Sequence, residues 1–355
     1  MKIMQVIPAF RLAGAEVMCE NLCIALKNAG ESVIAVSLYS EKTAITDRLE
    51  KAGVHIEYLN KKPGFDASII FKLVKLFKRE KPDVVHTHIY ASKYGLIAAV
   101  LAGIEKKVHT VHSVAQKEQG NLGKKVNSFM YKHFDVVPVA LSQEVRKSIS
   151  DVYGLCKDSV PTIFNGIDLS KCITKTNYKE NKIFTILHIG RFMQVKNHEI
   201  LIRAFATFVK KHPCSKLQLL GEGEMFDEMQ NLAKMLDVAD KVEFLGLQSN
   251  VYPFLHKADV FCLPSEYEGV PMTLIEAMGT GLPIIAGNVG GIPDMLTNGE
   301  SALLIEPEIH AVEKAMEALY SSEQKRAKLG QKACKRSKDF SSEAMAKGYM
   351  KIYRC

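Results

Sequence analysis

Short apolar runs alternate with stretches of helical period along nearly the whole chain. In the first half, "KIMQVIP", "SVIAVSLY", "HIEYL", "PDVVHTH" and "KVHTVHS" read as strands, and residues 14–29, 43–52, 67–80 and 91–103 between them read as helices. Strand and helix signals in strict alternation argue for parallel sheets in a doubly wound α/β architecture. Around residues 165–182 the period is lost and Asn, Lys and Thr accumulate, as in a linker between domains. A second alternation follows: "IFTILHIG", "KLQLLG", "KVEFLG" and "ADVFCLPS" as strands, with helices over 196–211 and 224–236. The pattern predicts two similar sheet domains, residues 1–165 and 166–338, facing each other across a cleft at the carboxyl ends of their strands.

Length agrees with two cores, since 355 residues exceed what one core usually holds. The start is interrupted by Gln5, Pro8 and Arg11 before a signal sequence can form, and the longest apolar run, residues 95–104, falls short of the ~20 residues a bilayer span needs. Eight cysteines without a C-x-x-C pair fit a reduced, cytoplasmic setting, and Cys19 and Cys23, one helical turn apart, read as core rather than metal ligands. Charge is uneven, with net +7 over residues 1–165 and +1 over 166–355. That field favours anionic lipid or acidic substrates; without an RNA-binding motif or an aromatic platform, nucleic acid is not expected as a partner.

The chemistry concentrates in the second half. In "SEYEGVPMTLIEAMGTGLP" a helix has Pro271 in its first turn and ends at Gly279 and Gly281, so the amides from Val270 to Leu274, Met272 and Thr273 among them, gather just after Gly269 at an end that attracts phosphate. Glu268 stands just before this helix and Glu276 within it, about 12 Å apart along a helix axis, too far to share a proton but suited to the two ends of an elongated ligand. A nucleotide sugar has that shape. After the strand "IFTILHIG", Arg191 offers a planar fork and Lys196 a mobile charge for a diphosphate. No Asp-x-Asp occurs to hold a metal on that diphosphate, so neither metal nor cofactor is expected. "PAFRLAGAEVM" opens a helix at Gly14 as a close-approach loop, and neither it nor "GEGEMF" completes a dinucleotide fingerprint. His86 and His88, and His109 and His112, end neighbouring strands on the same side as a second candidate group, of which His86, His88 and His112 read as acceptor-side. The basic segment 61–82 reads as a crossover helix whose stripe Ile69, Ile70, Leu73, Val74 and Phe77 packs on the sheet or lies on an anionic membrane.

Taken in order, "PDVVHTH", "HTVHS", "IFNGID", "GRFMQVKN", "LLGEGEM", "VEFLG" and "EGVPMTLIEAMGTGLPIIAG" resemble family-4 retaining glycosyltransferases of the GT-B fold, of the type that build bacterial polysaccharides and lipid-linked saccharides. The resemblance implies that Glu276 binds the ribose, Glu268 the donor sugar, Arg191 and Lys196 the diphosphate, and His112 the transferred sugar, with Gly14 near the diphosphate. The family's usual Gly-Gly is Ala13-Gly14 here. It further implies base recognition by backbone near Gly246, Leu247 and Val251, a UDP donor, and a helix over residues 339–355 returning to the first domain. The activity it implies is transfer of a hexose or N-acetylhexosamine to a saccharide or lipid-linked acceptor, at the inner face of the cytoplasmic membrane. A nucleotide-sugar epimerase of similar fold and a non-catalytic nucleotide-sugar-binding module are the alternatives; a glycosidase would need its two carboxylates flanking one bond at roughly 5 to 9.5 Å.

Overall fold

Each half of the chain builds a six-stranded, all-parallel sheet. The computed structural model describes residues 1–179 and 182–355. In the first unit β1 (Lys2–Ile7), β2 (Ser32–Ser37), β3 (His55–Tyr58), β4 (Val84–His88), β5 (Lys106–Val111) and β6 (Val136–Ala140) lie in the order β3-β2-β1-β4-β5-β6. The second unit contains β7 (Phe184–Ile189), β8 (Ser215–Leu220), β9 (Val242–Phe244), β10 (Val260–Leu263), β11 (Ile284–Gly287) and β12 (Leu303–Ile305), ordered β12-β11-β10-β7-β8-β9. Both sheets therefore share one winding. Their order reverses between β1 and β4 in the first and between β7 and β10 in the second, and such switch points are where α/β sheets open a crevice for ligands.

The inner strands β1, β4, β7 and β10 are buried on both faces, which explains why they read as mostly apolar runs rather than as an alternation of apolar and polar positions. In the first unit Met4, Val6, Val36, Val85 and Phe77 share one core, and Val111, Ala140, Val145 and Tyr153 another. In the second, Ile186, Leu217, Leu219, Val260 and Ile285 pack against the helices His198–Lys211 and Ile309–Tyr320.

The helix Ser68–Glu80 settles what its apolar stripe does: Ile69, Leu73 and Phe77 are fully buried in the first unit's core, and Ile70 and Val74 pack against it. Phe71, at 74 % exposure, is left in water among Lys72, Lys75 and Lys78.

The expected linker is largely a strap on the second unit. Lys175 N donates to Thr280 O at 2.9 Å and the Tyr178 hydroxyl to Gly281 O at 2.9 Å, fastening the segment over the end of the helix Met272–Gly279. Residues 180 and 181 of that linker lie outside the described residues. The last helix, Ser342–Arg354, belongs to the first unit, which comprises residues 1–167 and 341–355. Ser342 N donates to Ile167 O at 2.7 Å where the chain re-enters.

Candidate donor site in the second unit

The candidate residues gather at the second unit's switch point. The loop after β7 carries Arg191 and Lys196, and the loop after β10 carries Ser265 and Glu268. Asn197 takes a left-handed conformation (φ 54°), tolerable for Asn, which ends a tight turn over Gln194–Lys196 and starts the helix His198–Lys211 two residues later than expected. Its Nδ2 donates to Pro264 O at 3.1 Å, and Glu266 N donates to Val195 O at 2.9 Å. Two loops far apart in sequence are thereby stitched side by side.

Within that seam Lys196 Nζ lies 2.6 Å from Glu268 Oε1, and the Ser265 hydroxyl donates to the same oxygen at 2.6 Å. Glu268 is 6 % exposed and Lys196 half-buried. With both bonds on Oε1, Oε2 is the oxygen these partners leave for a ligand hydroxyl. Arg191 is exposed, and among the described residues it has no carboxylate at ion-pair distance. Beneath it, Phe192 stacks on His198 with ring centroids 4.0 Å apart, and burial drives the His198 imidazole down to about 2 and that of neighbouring His188 down to about 4. Both imidazoles are thus neutral supports beneath the cationic loop.

Pro271 is the cap residue rather than a first-turn residue, and the helix runs from Met272 to Gly279. Leu274 N and Ile275 N both reach Pro271 O, so Met272 and Thr273 carry the first two amides of the helix, which helical bonding does not satisfy. The side chains of Val270, Met272 and Leu274 are buried, so these residues can meet a ligand only through backbone.

Glu276 follows on the same helix, half-buried beside Cys172 and Tyr252. Burial pushes its carboxyl up to about 7, with Lys171 pulling the other way. A raised acid binds its proton more tightly folded than unfolded, so its contribution to stability falls as pH rises from about 4.5 toward about 7. Glu276→Gln therefore gains Tm relative to the native protein across that window and keeps a constant advantage above it; unfolding scans from pH 4 to pH 8.5 check this.

In the candidate base region, Gly246 (φ 63°) accepts from Gly221 N at 2.8 Å through its carbonyl, Leu247 is 57 % exposed, and Val251 caps the helix Tyr252–Lys257. The "GEGEMF" glycines serve packing: a Cβ on Gly223 would lie 2.8 Å from the backbone N and C of Phe192. Sequence reasoning passed over Ser265, Asn197 and Gly290, whose φ is 57° and whose neighbour Gly291 donates its N–H to Glu268 O at 2.9 Å. The one signal for Ser265 was its place three residues before Glu268.

The first unit holds the remaining candidates. Gly14 is exposed at the start of the helix Gly14–Asn28, with no atom within 4 Å of where a Cβ would stand. His112, just beyond β5, is half-buried, and Glu118 Oε1 accepts from its backbone N–H at 3.0 Å. The acceptor-side expectation for His86 and His88 is corrected: both are fully buried with both ring nitrogens engaged inside the unit, so neither has an atom to offer an acceptor. Among the described residues, no group of three or more His, Cys, Asp or Glu is placed to hold a metal ion.

Comparison with known proteins points the same way. The description "Glycosyltransferase Family 4" matches residues 12–171 and "Glycosyl transferases group 1" residues 173–336. The UDP-Gal:alpha-D-GlcNAc-diphosphoundecaprenol alpha-1,3-galactosyltransferase of Escherichia coli is 31 % identical over 264 residues, covering 68 % of this chain and 67 % of that protein. The N-acetyl-alpha-D-glucosaminyl L-malate synthase of Bacillus anthracis is 30 % identical over 257 residues, covering 69 % and 66 %. Each alignment thus spans about two thirds of the relative's length. Anabaena Alr3699/HepE, solved in complex with UDP, superposes over 100 % of both chains with a TM-score of 0.86 at 19 % identity, a likeness of fold. The chain belongs to the group 1, family-4 glycosyltransferases of GT-B fold.

Proposed function

We propose that this enzyme transfers a hexose or N-acetylhexosamine from a uridine diphosphate sugar to a saccharide or lipid-linked saccharide hydroxyl, with retention of anomeric configuration. The observation that carries the reading is the seam at the second unit's switch point, where Lys196 and Glu268 meet at 2.6 Å beside the free helix amides of Met272 and Thr273 and the exposed Arg191. A diphosphate entering there takes Lys196 from Glu268, and Glu268 turns to a hydroxyl of the sugar. Arg191, Lys196 and the amides then stabilise the charge that grows on the leaving diphosphate, while Glu276 accepts from the ribose. The departing phosphate oxygen takes the acceptor proton on the same face, which preserves configuration without a protein nucleophile.

Two relatives support the donor and acceptor classes: the E. coli enzyme is named for a UDP-galactose donor and a diphosphoundecaprenol-linked acceptor, and the Anabaena protein holds UDP. A thermal-shift panel of UDP-, GDP- and ADP-sugars tests the donor, because a ligand preferring the folded state at 100 times its Kd adds about 2.7 kcal/mol. UDP-sugars raise Tm; a rise with GDP- or ADP-sugars alone rejects the base assignment. NMR of the product's anomeric proton tests retention.

We further propose that the first unit meets an anionic membrane surface when the acceptor is lipid-linked. No helix of the described residues is long and apolar enough to cross a membrane. The exposed Phe65 and Phe71, with Lys62, Lys72, Lys75 and Lys78 around them, form an amphipathic surface of the kind that lies on one. Flotation with vesicles checks the idea; binding indifferent to anionic lipid content would remove it.

A further inference from the structure

A buried chain of hydrogen bonds runs through the first unit from His112 to the last helix. Gln5 on β1, His86 and His88 on β4 and Thr110 on β5 share one face of the sheet, in adjacent register as Gln5 opposite His86 and His88 opposite Thr110. The helix Ser342–Arg354 brings Tyr349 and Tyr353 onto that face. These six side chains are all buried to 2 % exposure or less. Their contacts are continuous: His112 Nε2 to His88 Nδ1 at 3.0 Å, His88 Nε2 to Gln5 Oε1 at 2.8 Å, and Gln5 Nε2 to the Tyr353 hydroxyl at 3.1 Å. From there Tyr353 reaches His86 Nδ1 at 2.7 Å, His86 Nε2 reaches Thr110 Oγ1 at 2.7 Å, and Thr110 reaches the Tyr349 hydroxyl at 2.7 Å.

The chain has a direction. The Gln5 amide N–H donates to Tyr353, so its Oε1 accepts from His88 Nε2–H. His88 Nδ1 is then bare and accepts from His112 Nε2–H. Tyr353 in turn donates to His86 Nδ1, which fixes the far half in the same sense. Burial drives the imidazoles of His86 and His88 far down and that of His112 to about 3, so each ring carries one proton and each link has one donor. Reversing one link would set two donors or two acceptors face to face in a dry interior, so the chain reverses as a whole or not at all.

We propose that Tyr353 is a positioning residue: through Gln5 and His88 the last helix holds His112 as its Nε2–H tautomer, leaving Nδ1 as the ring's acceptor for a hydroxyl of the transferred sugar. This rests on the reading of His112 as the residue at that sugar. It also accounts for His86 and His88, which serve the site from inside the sheet.

The test is a long-range proton–nitrogen NMR spectrum of the full chain with ring-labelled histidine, assigned through His112→Ala. In the native protein His112 shows a protonated Nε2 and a bare Nδ1. Tyr353→Phe keeps the ring packed but takes away the acceptor that orients Gln5, so the His112 signals shift toward the other tautomer. With the UDP-sugar that gives the largest thermal shift, kcat falls about 5-fold while the donor KM changes less than 2-fold. A protonated His112 Nδ1 in the native protein overturns the proposal and needs no variant to fold. So does a Tyr353→Phe spectrum and kcat identical to native. If the tautomer behaves as stated but His112→Ala transfers sugar at the native rate, the role at the sugar is overturned while the relay stands.

Discussion

Replacing Lys196 with alanine slows sugar transfer about 100-fold or more, the loss expected when one preorganised donor to a developing oxyanion is removed. The same change lowers stability, for a separate reason. Glu268 is 7 % exposed at its side chain and its Oε1 is shared between Lys196 and Ser265. Without Lys196 a nearly buried carboxylate keeps only the serine hydroxyl, and breaking a buried pair on one side costs about 3 kcal/mol or more. Lys196 is 21 % exposed at its side chain, which allows water to recover part of that cost. A fall in Tm of roughly 5 °C is therefore expected. The double variant Lys196→Ala with Glu268→Gln separates the two effects, since a neutral amide does not need the ammonium. Its Tm returns most of the way to native while transfer stays at least about 100-fold down. Scanning calorimetry with single-turnover kinetics checks both, and a double variant that regains turnover would reject Lys196 as the diphosphate ligand.

What could be read from the sequence was set by local chemistry. The strands "KIMQVIP", "PDVVHTH" and "IFTILHIG" were legible because burial on both faces favours a short, mostly apolar run over a strict alternation, and Glu268 and Glu276 because a Pro and two Gly bracket the helix that carries Glu276 and follows Glu268. β11 and β12 were not singled out: "IIAG" and "LLI" are too short to carry a period, and only pairing defines them, β11 with β10 and β12 with β11. The strap over residues 172–178 read as a linker because its attachment depends on Tyr178 and Lys175 meeting the backbone of Gly281 and Thr280, more than 100 residues on. The same separation hid the histidine chain, where Gln5 meets Tyr353 across 348 residues. His86 and His88 were visible as a pair, yet nothing in "HTH" tells a ring facing solvent from one sealed beneath a helix. Lys196 and Glu268 each read as a donor-site candidate; their pairing did not, because it requires Asn197 and Glu266 to stitch two loops together.

Gly290→Ala is expected to cost as much activity as any change to a charged residue, although Gly290 carries no functional group. Its φ of 57° is a conformation that alanine enters at a cost of about 1 kcal/mol. The larger effect is steric. A Cβ there would overlap the Glu268 carbonyl oxygen and stand 2.9 Å from its carbonyl carbon and 3.2 Å from its nitrogen. These are backbone atoms, already held by the bond from Gly291 N to Glu268 O at 2.9 Å, so no flexible side chain can yield. The loop carrying Glu268 must move by on the order of 1 Å, and misplacement of that size at a reacting centre costs about 100-fold in rate. Gly299→Ala is the matched control: its φ is 71°, similarly strained, but a Cβ there meets no atom within 4 Å. Both variants should lose comparable Tm from backbone strain, with an additional loss for Gly290→Ala, while only Gly290→Ala should lose transfer. Equal turnover in the two would mean that the position of Glu268 does not govern the reaction, and its assignment to the donor sugar would fall with that result.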